Sequence, residues 1–260
     1  MAGNIVISQI NGGAIGVKNV IINGNFQINQ RGVSGTVTLA AGAYGHDRFK
    51  AGASGCTYTF ATSNNVTTLT ISAGSLIQVV EGLNLYTDTY TLSWTGTAQG
   101  KIGAGSYAGS GVTGSVTGGT NLNIEFNTGT LSLVQLEAGS VASPFERRDY
   151  GRELAMCQRY FQVIGDLSRL TGMAFNSTAN PISWPLAVTM RASPSTVSLS
   201  GTGSSTVLIG GSNLALTGIS SVVVSPSIVS FDANVASGGT SGFGCQLRLS
   251  GSSISASAEI

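Results

Sequence analysis

The sequence predicts a mainly β protein: two β-sandwich, jelly-roll-like domains joined by one short α-helix. Three observations lead there. Short segments of alternating apolar and polar residues recur at roughly ten-residue spacing, with Gly, Ser, Asn or Asp between them. Charged residues make up 9% of the chain and glycine accounts for 37 of 260 positions, against about 25% and about 7% in ordinary soluble domains. One stretch, SPFERRDYGRELAMCQRYF from Ser143 to Phe161, carries helical spacing and holds seven of the charges between Glu146 and Arg159.

Composition sets the outer limits. With 42% hydrophobic residues and a net charge of +1, the chain has too much apolar content and too little charge to be disordered. Its exterior must be neutral and rich in hydroxyls and amides, the wrong surface for nucleic-acid phosphates. No run reaches the ~18 apolar residues of a membrane span. The start, MAGNIVISQINGG, lacks a signal peptide's basic and apolar regions. Cys56, Cys157 and Cys245 are odd in number and far apart, so neither a disulfide framework nor a zinc cluster is indicated. Synthesis in a reducing cytoplasm is expected.

In chain order, residues 1–17 read as an arm. Residues 18–145 form the first domain, with strands expected at Thr36–Leu39, Cys56–Ala61, Val66–Ile71, Leu76–Glu81, Tyr90–Thr95, Leu122–Phe126 and Leu131–Leu136. In TYTLSWT, Tyr90, Leu92 and Trp94 share one face and the hydroxyl residues the other, the period of a half-buried strand. Residues 146–165 are the linker helix. Its apolar positions Tyr150, Leu154, Cys157 and Phe161 are spaced four, three and four apart and form one stripe. Asp149 is one N-cap candidate, and Ser143 with Pro144 and Glu146 is another. So short a helix must lean on something, either its own domains or copies of itself around an axis.

Residues 166–260 are the second β-sandwich domain. After the helix, a second set of strands is expected at Tyr160–Ile164, Ala187–Arg191, Thr196–Ser200, Thr206–Ile209, Leu214–Thr217, Ser221–Val224, Ile228–Ala233, Cys245–Leu249 and Ile254–Glu259. The domain's only charges are Asp166, Arg169, Arg191, Asp232, Arg248 and Glu259. Sheet edges are usually guarded by charge. So few charges suggest that neighbouring subunits cover the edges.

Sites for chemistry are sparse. Gly109 to Gly114 matches GxGxxG, but SVTGGTNLNIEF follows, a turn and a strand where a dinucleotide site needs a helix. Gly96 to Lys101 imitates a phosphate loop with one residue too few and Ile102 in place of the magnesium-binding hydroxyl. His46, the one histidine, reads as a solvated turn residue beside Asp47 rather than a base. No cofactor is implied, and a structural calcium held by carbonyls and one Asp would leave no motif. Tyr107 in the glycine-rich loop, Trp184 between two prolines, and Tyr44 are the candidates for stacking on a sugar ring. Trp94 reads as core.

IINGNFQINQRG (21–32), YGHDRF (44–49), VQLEAGSVASPFERR (134–148) and YGRELAMCQRYF (150–161) together resemble segments of bacteriophage tail-fibre and related virion proteins. TMRASPSTVSLS (189–200) and the closing ASAEI (256–260) are similar to a fibre C-terminal module. Phe49 stands where Trp is common in the Asp-Arg-aromatic turn, a mild departure. The resemblance implies a jelly roll similar to carbohydrate-binding modules, a homotrimer with the Tyr150–Phe161 stripe at its axis, and an N-terminal arm docked to other head or tail proteins. The expected role is a non-enzymatic fibre or spike subunit in the virion that binds a host surface glycan or other receptor. No nucleic acid and no membrane insertion are expected. A virion-borne glycan depolymerase or esterase, and a purely structural decoration fibre, are the alternatives.

Overall fold

The computed structural model describes residues 18–260; the attachment arm expected over residues 1–17 lies outside the described residues. The chain divides into two compact units, one ending at Leu154 and the other spanning Ala155–Ile260. It is mainly β, with one α-helix among the described residues.

The first unit contains β1 (Val37–Leu39), β2 (Phe49–Ser63), β3 (Val66–Val80), β4 (Asp88–Thr95), β5 (Gly100–Ile102), β6 (Val112–Val116), β7 (Leu122–Phe126) and β8 (Gly129–Ala138). β2 and β3 form a long hairpin. Its two-residue turn is Asn64-Asn65, both at positive φ (49° and 57°), the backbone a type I′ turn requires. The two strands expected at Val66–Ile71 and Leu76–Glu81 are one continuous β3. Its first half pairs with β8 through Leu69–Ile71, and its second half pairs with β7 through Leu76–Val80. This change of partner bends the eight strands around a single core. Opposite β3, a bulge in β2 brings Gly55 onto Gly74. A Cβ on Gly74, at φ 72°, would lie 2.0 Å from the Gly55 carbonyl oxygen, so only glycine fits.

The core holds Phe49, Tyr58, Leu69, Leu92, Phe126 and Leu136. Trp94 joins them edge-on to Phe126, with ring centroids 5.2 Å apart, and donates its indole N–H to the Ala98 carbonyl. Thr91, expected on the solvent face, is buried and donates to the Gly139 carbonyl at 2.7 Å.

The helix α1 (Tyr150–Gln158) is capped by Asp149, whose carboxylate accepts the Arg152 backbone N–H at 2.9 Å. The Ser143 alternative is not used as a cap. Its hydroxyl donates instead to Glu137. The helix ends at Gln158, so Phe161 belongs to the following strand and only Tyr150, Leu154 and Cys157 of the expected stripe are helical.

The second unit contains β9 (Phe161–Ile164), β10 (Arg169–Met173), β11 (Ala179–Pro185), β12 (Thr196–Leu199), β13 (Thr206–Ile209), β14 (Ser212–Val224), β15 (Ile228–Val235), β16 (Gly244–Arg248) and β17 (Ile254–Ser257). The sequence predicts a sandwich here; the unit is a closed six-stranded barrel, β10-β11-β15-β14-β13-β16, beside a three-stranded sheet β12-β17-β9. β16 closes the ring by pairing with both β10 and β13. Closure removes six strands' edges within one chain. Sparse charge on those strands therefore needs no neighbouring subunit to explain it.

Ala187–Arg191, expected as a strand, is irregular, and the strand lies earlier, over the proline-containing β11. Gly172 makes that possible: a Cβ there would sit 1.9 Å from the Pro181 carbonyl oxygen, so β10 approaches β11 only because position 172 has no side chain.

Candidate functional site

Many residues of the segments 21–32, 44–49 and 134–148 are buried in the first unit as a polar clamp. Asn23 donates its side-chain N–H groups to the carbonyls of Ile28 (2.8 Å) and Asp47 (3.1 Å), and its carbonyl accepts the Ile28 N–H at 2.9 Å. Gln78, pointing inward from β3, closes a reciprocal pair with the Ile22 backbone, both bonds 2.8 Å. Arg148 donates to the carbonyls of Ile21 and Asn19 and lies 3.3 Å from the Glu153 carboxylate, which also accepts the Asn23 N–H. Gln135 accepts the Glu146 N–H and donates to Glu137. These side chains stand in for the ladder partners that residues 19–28 lack, since buried backbone groups must be paired. They hold the chain in place and offer no surface to a ligand.

His46 belongs to this buried layer. It is 1% exposed, its ring stands edge-on to Phe60 at 4.6 Å, and its Nδ1 lies 3.0 Å from the Tyr58 hydroxyl. Burial lowers its pKa from 6.5 to about 4, so at neutral pH it is an uncharged core residue. The expectation of a solvated turn histidine fails because the long β2 reaches back over the turn.

The opposite face of the same sheet is partly exposed. Cross-strand register places Lys50 opposite Ile77, Ile77 opposite Glu125, and Glu125 opposite Lys101. Bridges continue the row at both ends, Tyr44 to Lys50 on one side and Gly100 to Ala108 on the other, which sets Tyr107 beside Lys101. The row Tyr44–Lys50–Ile77–Glu125–Lys101–Tyr107 therefore crosses five strand spacings, roughly 24 Å if flat. Each terminal tyrosine ring carries a cation: Lys101 Nζ is 4.8 Å from the Tyr107 centroid, and Lys50 Nζ is 5.9 Å and the Arg31 guanidinium 5.1 Å from that of Tyr44.

At its centre Glu125 accepts from the Ser75 hydroxyl at 2.6 Å and pairs with Lys101 at 3.0 Å. Burial alone would raise its pKa. Hydrogen bonds from Ser75, Lys101 and Tyr107 outweigh that and hold it below the ordinary value. Burial, then the bond to Glu125, pushes the Tyr107 phenol up to about 12. Beneath the pair is Gly52, where a Cβ would lie 2.0 Å from the Ser75 hydroxyl oxygen. Such a face, with two flat rings and fixed polar groups between them, suits stacking and hydrogen bonding to a chain of sugar rings. A carboxylate held ionised by three donors is poorly suited to donate a proton.

Two of the three expected sugar-stacking residues thus lie on one face. The third does not. Trp184 is 4% exposed in the barrel core, because β11 alternates and Asn180, Ile182 and Trp184 all point inward. Lys50, Lys101, Glu125 and Ser75 were not legible as site residues, and Lys101 stood out only in the false phosphate loop. The GxGxxG string enters β6, a strand. Among the described residues no group of three or more His, Cys, Asp or Glu is placed to hold a metal. Of the stripe expected at a trimer axis, Cys157 and Phe161 are buried within the single chain, Leu154 is half-buried and Tyr150 is 59% exposed. No helix is long and apolar enough to cross a membrane among the described residues. No family model, curated protein or solved structure matches this chain.

Proposed function

We propose that this chain is a non-enzymatic subunit of a bacteriophage fibre or spike, assembled as a homotrimer, that attaches the virion to a host surface glycan. The first unit is read as a jelly roll of the carbohydrate-binding kind, with the second at the fibre tip. The observation that carries the proposal is the row from Tyr44 to Tyr107. It sets a half-buried aromatic ring at each end of the sheet's outer face with a pre-organised carboxylate between them. The Ser75 hydroxyl, the Glu125 carboxylate and the lysines beside the rings fit recognition by hydrogen bonds and stacking. One such site binds weakly, and three on one axis gain avidity without new contacts. Trimer formation is supported by large apolar side chains left exposed on the single chain, among them Tyr150, Leu167 and Phe175.

The test is competition. Purified protein should block phage adsorption to host cells and bind isolated host polysaccharide, without producing new reducing ends or released acetate. Absence of binding to both cells and polysaccharide would reject attachment, and release of reducing ends or acetate would replace it with an enzymatic role.

A further inference from the structure

We infer that the outer wall of the barrel carries a second site, specific for anions, built on Arg169 and Arg248. This deepens the glycan-attachment reading and rests on it: the ligand is the acidic group of an envelope polysaccharide.

The register of the barrel supplies the first observation. Arg169 on β10 stands directly opposite Arg248 on β16, and Thr206 on β13 is the next residue in the same row. Like charges directly opposed across two strands destabilise a sheet. Yet residues 166–260 contain just three basic residues, and two of them are set face to face. Arg169 is exposed, and among the described residues neither arginine has a carboxylate within ion-pair distance. An oxyanion between the two guanidiniums would convert this repulsion into two charge-assisted bonds.

The second observation is that the wall is shaped around the pair. Arg248 is held in place by its own neighbours, donating from Nε to Gln246 at 2.8 Å and from Nη1 to Asn213 at 3.2 Å. Both arginines line two adjoining clefts. One, of about 480 Å³, is also lined by Gly210, Gly211 and Gly244 together with Leu208, Cys245 and Gln246. The other, of about 240 Å³, is also lined by Ser204, Thr206 and Ser250. A pair of arginines with a glycine-lined cleft on one side and a serine- and threonine-lined cleft on the other matches a sugar that bears a negative group. The anion would lie between the arginines and the ring would extend into a cleft. A uronate carboxylate and a phosphodiester share this chemistry.

The experiment uses the full chain with three probes: polygalacturonate, poly(glycerol phosphate) and neutral dextran. Wild type should bind at least one polyanion, with affinity falling steeply between about 50 and about 500 mM salt. The polyanion bound identifies the source of the charge. Arg169→Gln and Arg248→Gln should each weaken that binding about tenfold, and Arg191→Gln should not. Each of the two variants should melt at or above wild type, because a like-charge pair has been relieved.

Three results would overturn the site: no polyanion binding at low salt, binding unchanged in both variants, or a lowered melting temperature with loss of the assembled mass. The last would assign the arginines to a contact between subunits. The two readings also fail separately. Host polysaccharide bound equally by wild type and both variants leaves attachment standing without this site. Polyanion bound through the arginines with no binding to host polysaccharide leaves the site without attachment.

Discussion

The backbone N–H of Asn23 donates to the carboxylate of Glu153, 130 residues further along the chain. This bond ties the start of the first unit to the first turn of α1, and Arg148 completes it from 3.3 Å. Glu153→Ala leaves a buried guanidinium and a buried N–H short of their acceptor, which should cost about 3 kcal/mol. Chemical denaturation with the first unit's core as reporter measures it. Glu153→Gln, which keeps an acceptor oxygen, should cost less. Equal stability of Glu153→Ala and wild type would show that the clamp is not structural.

The buried His46 makes stability depend on pH. Its folded pKa, about 4, lies below its unfolded value of 6.5, so the unfolded chain takes up the proton first as pH falls. The contribution is complete at neutral pH and shrinks as pH drops below about 6.5. Near pH 4 the loss approaches ~3 kcal/mol. The melting temperature should fall across this window, and His46→Gln should flatten that part of the profile. An unchanged slope in the variant would place the pH dependence elsewhere.

Tyr107 and Tyr44 bracket the proposed glycan face. Tyr107→Ala should weaken binding to host polysaccharide about tenfold while changing stability by less than about 1 kcal/mol, as one lost stacking contact implies. Its effect should be similar at low and high salt. Glu125→Gln should weaken binding too, because it releases the Ser75 and Lys101 donors from their fixed positions. Wild-type affinity in both variants would move the site off this face.

Assembly is tested by mass. Native mass measurement should give three times the 26.3 kDa chain, and a clean monomer at micromolar concentration would reject the trimer. Leu154→Asp, at the half-buried position of the helix, should abolish the trimer and leave the first unit folded, since that unit's strands form their own core. A variant that stays trimeric with unchanged melting would remove Leu154 from the axis.

The three cysteines should be inert. All are buried, and burial raises the Cys56 thiol to about 11 and also raises Cys245, which starves those two of the reactive thiolate. A thiol reagent should label none of them in the native protein and all three after denaturation. Fast labelling of one would mark a local opening.

The β class, the place of the helix with its Asp149 cap, and the inward face of TYTLSWT were all legible in the residues themselves. Each depends on a period or a capping group within a few residues, which a linear reading can see. It misplaced the strand around Trp184, because Pro181 and Pro185 read as breakers and the Gly172 vacancy that accommodates them is on another strand. Only the tertiary structure decided the closure of the barrel, the burial of His46, and the two rows on which the proposed sites rest. Glu125 reaches Lys101 and Ser75, and Arg169 faces Arg248, through pairing between strands distant in the chain. Such pairing is set by core packing and by glycines that let backbones approach, information that no local pattern contains.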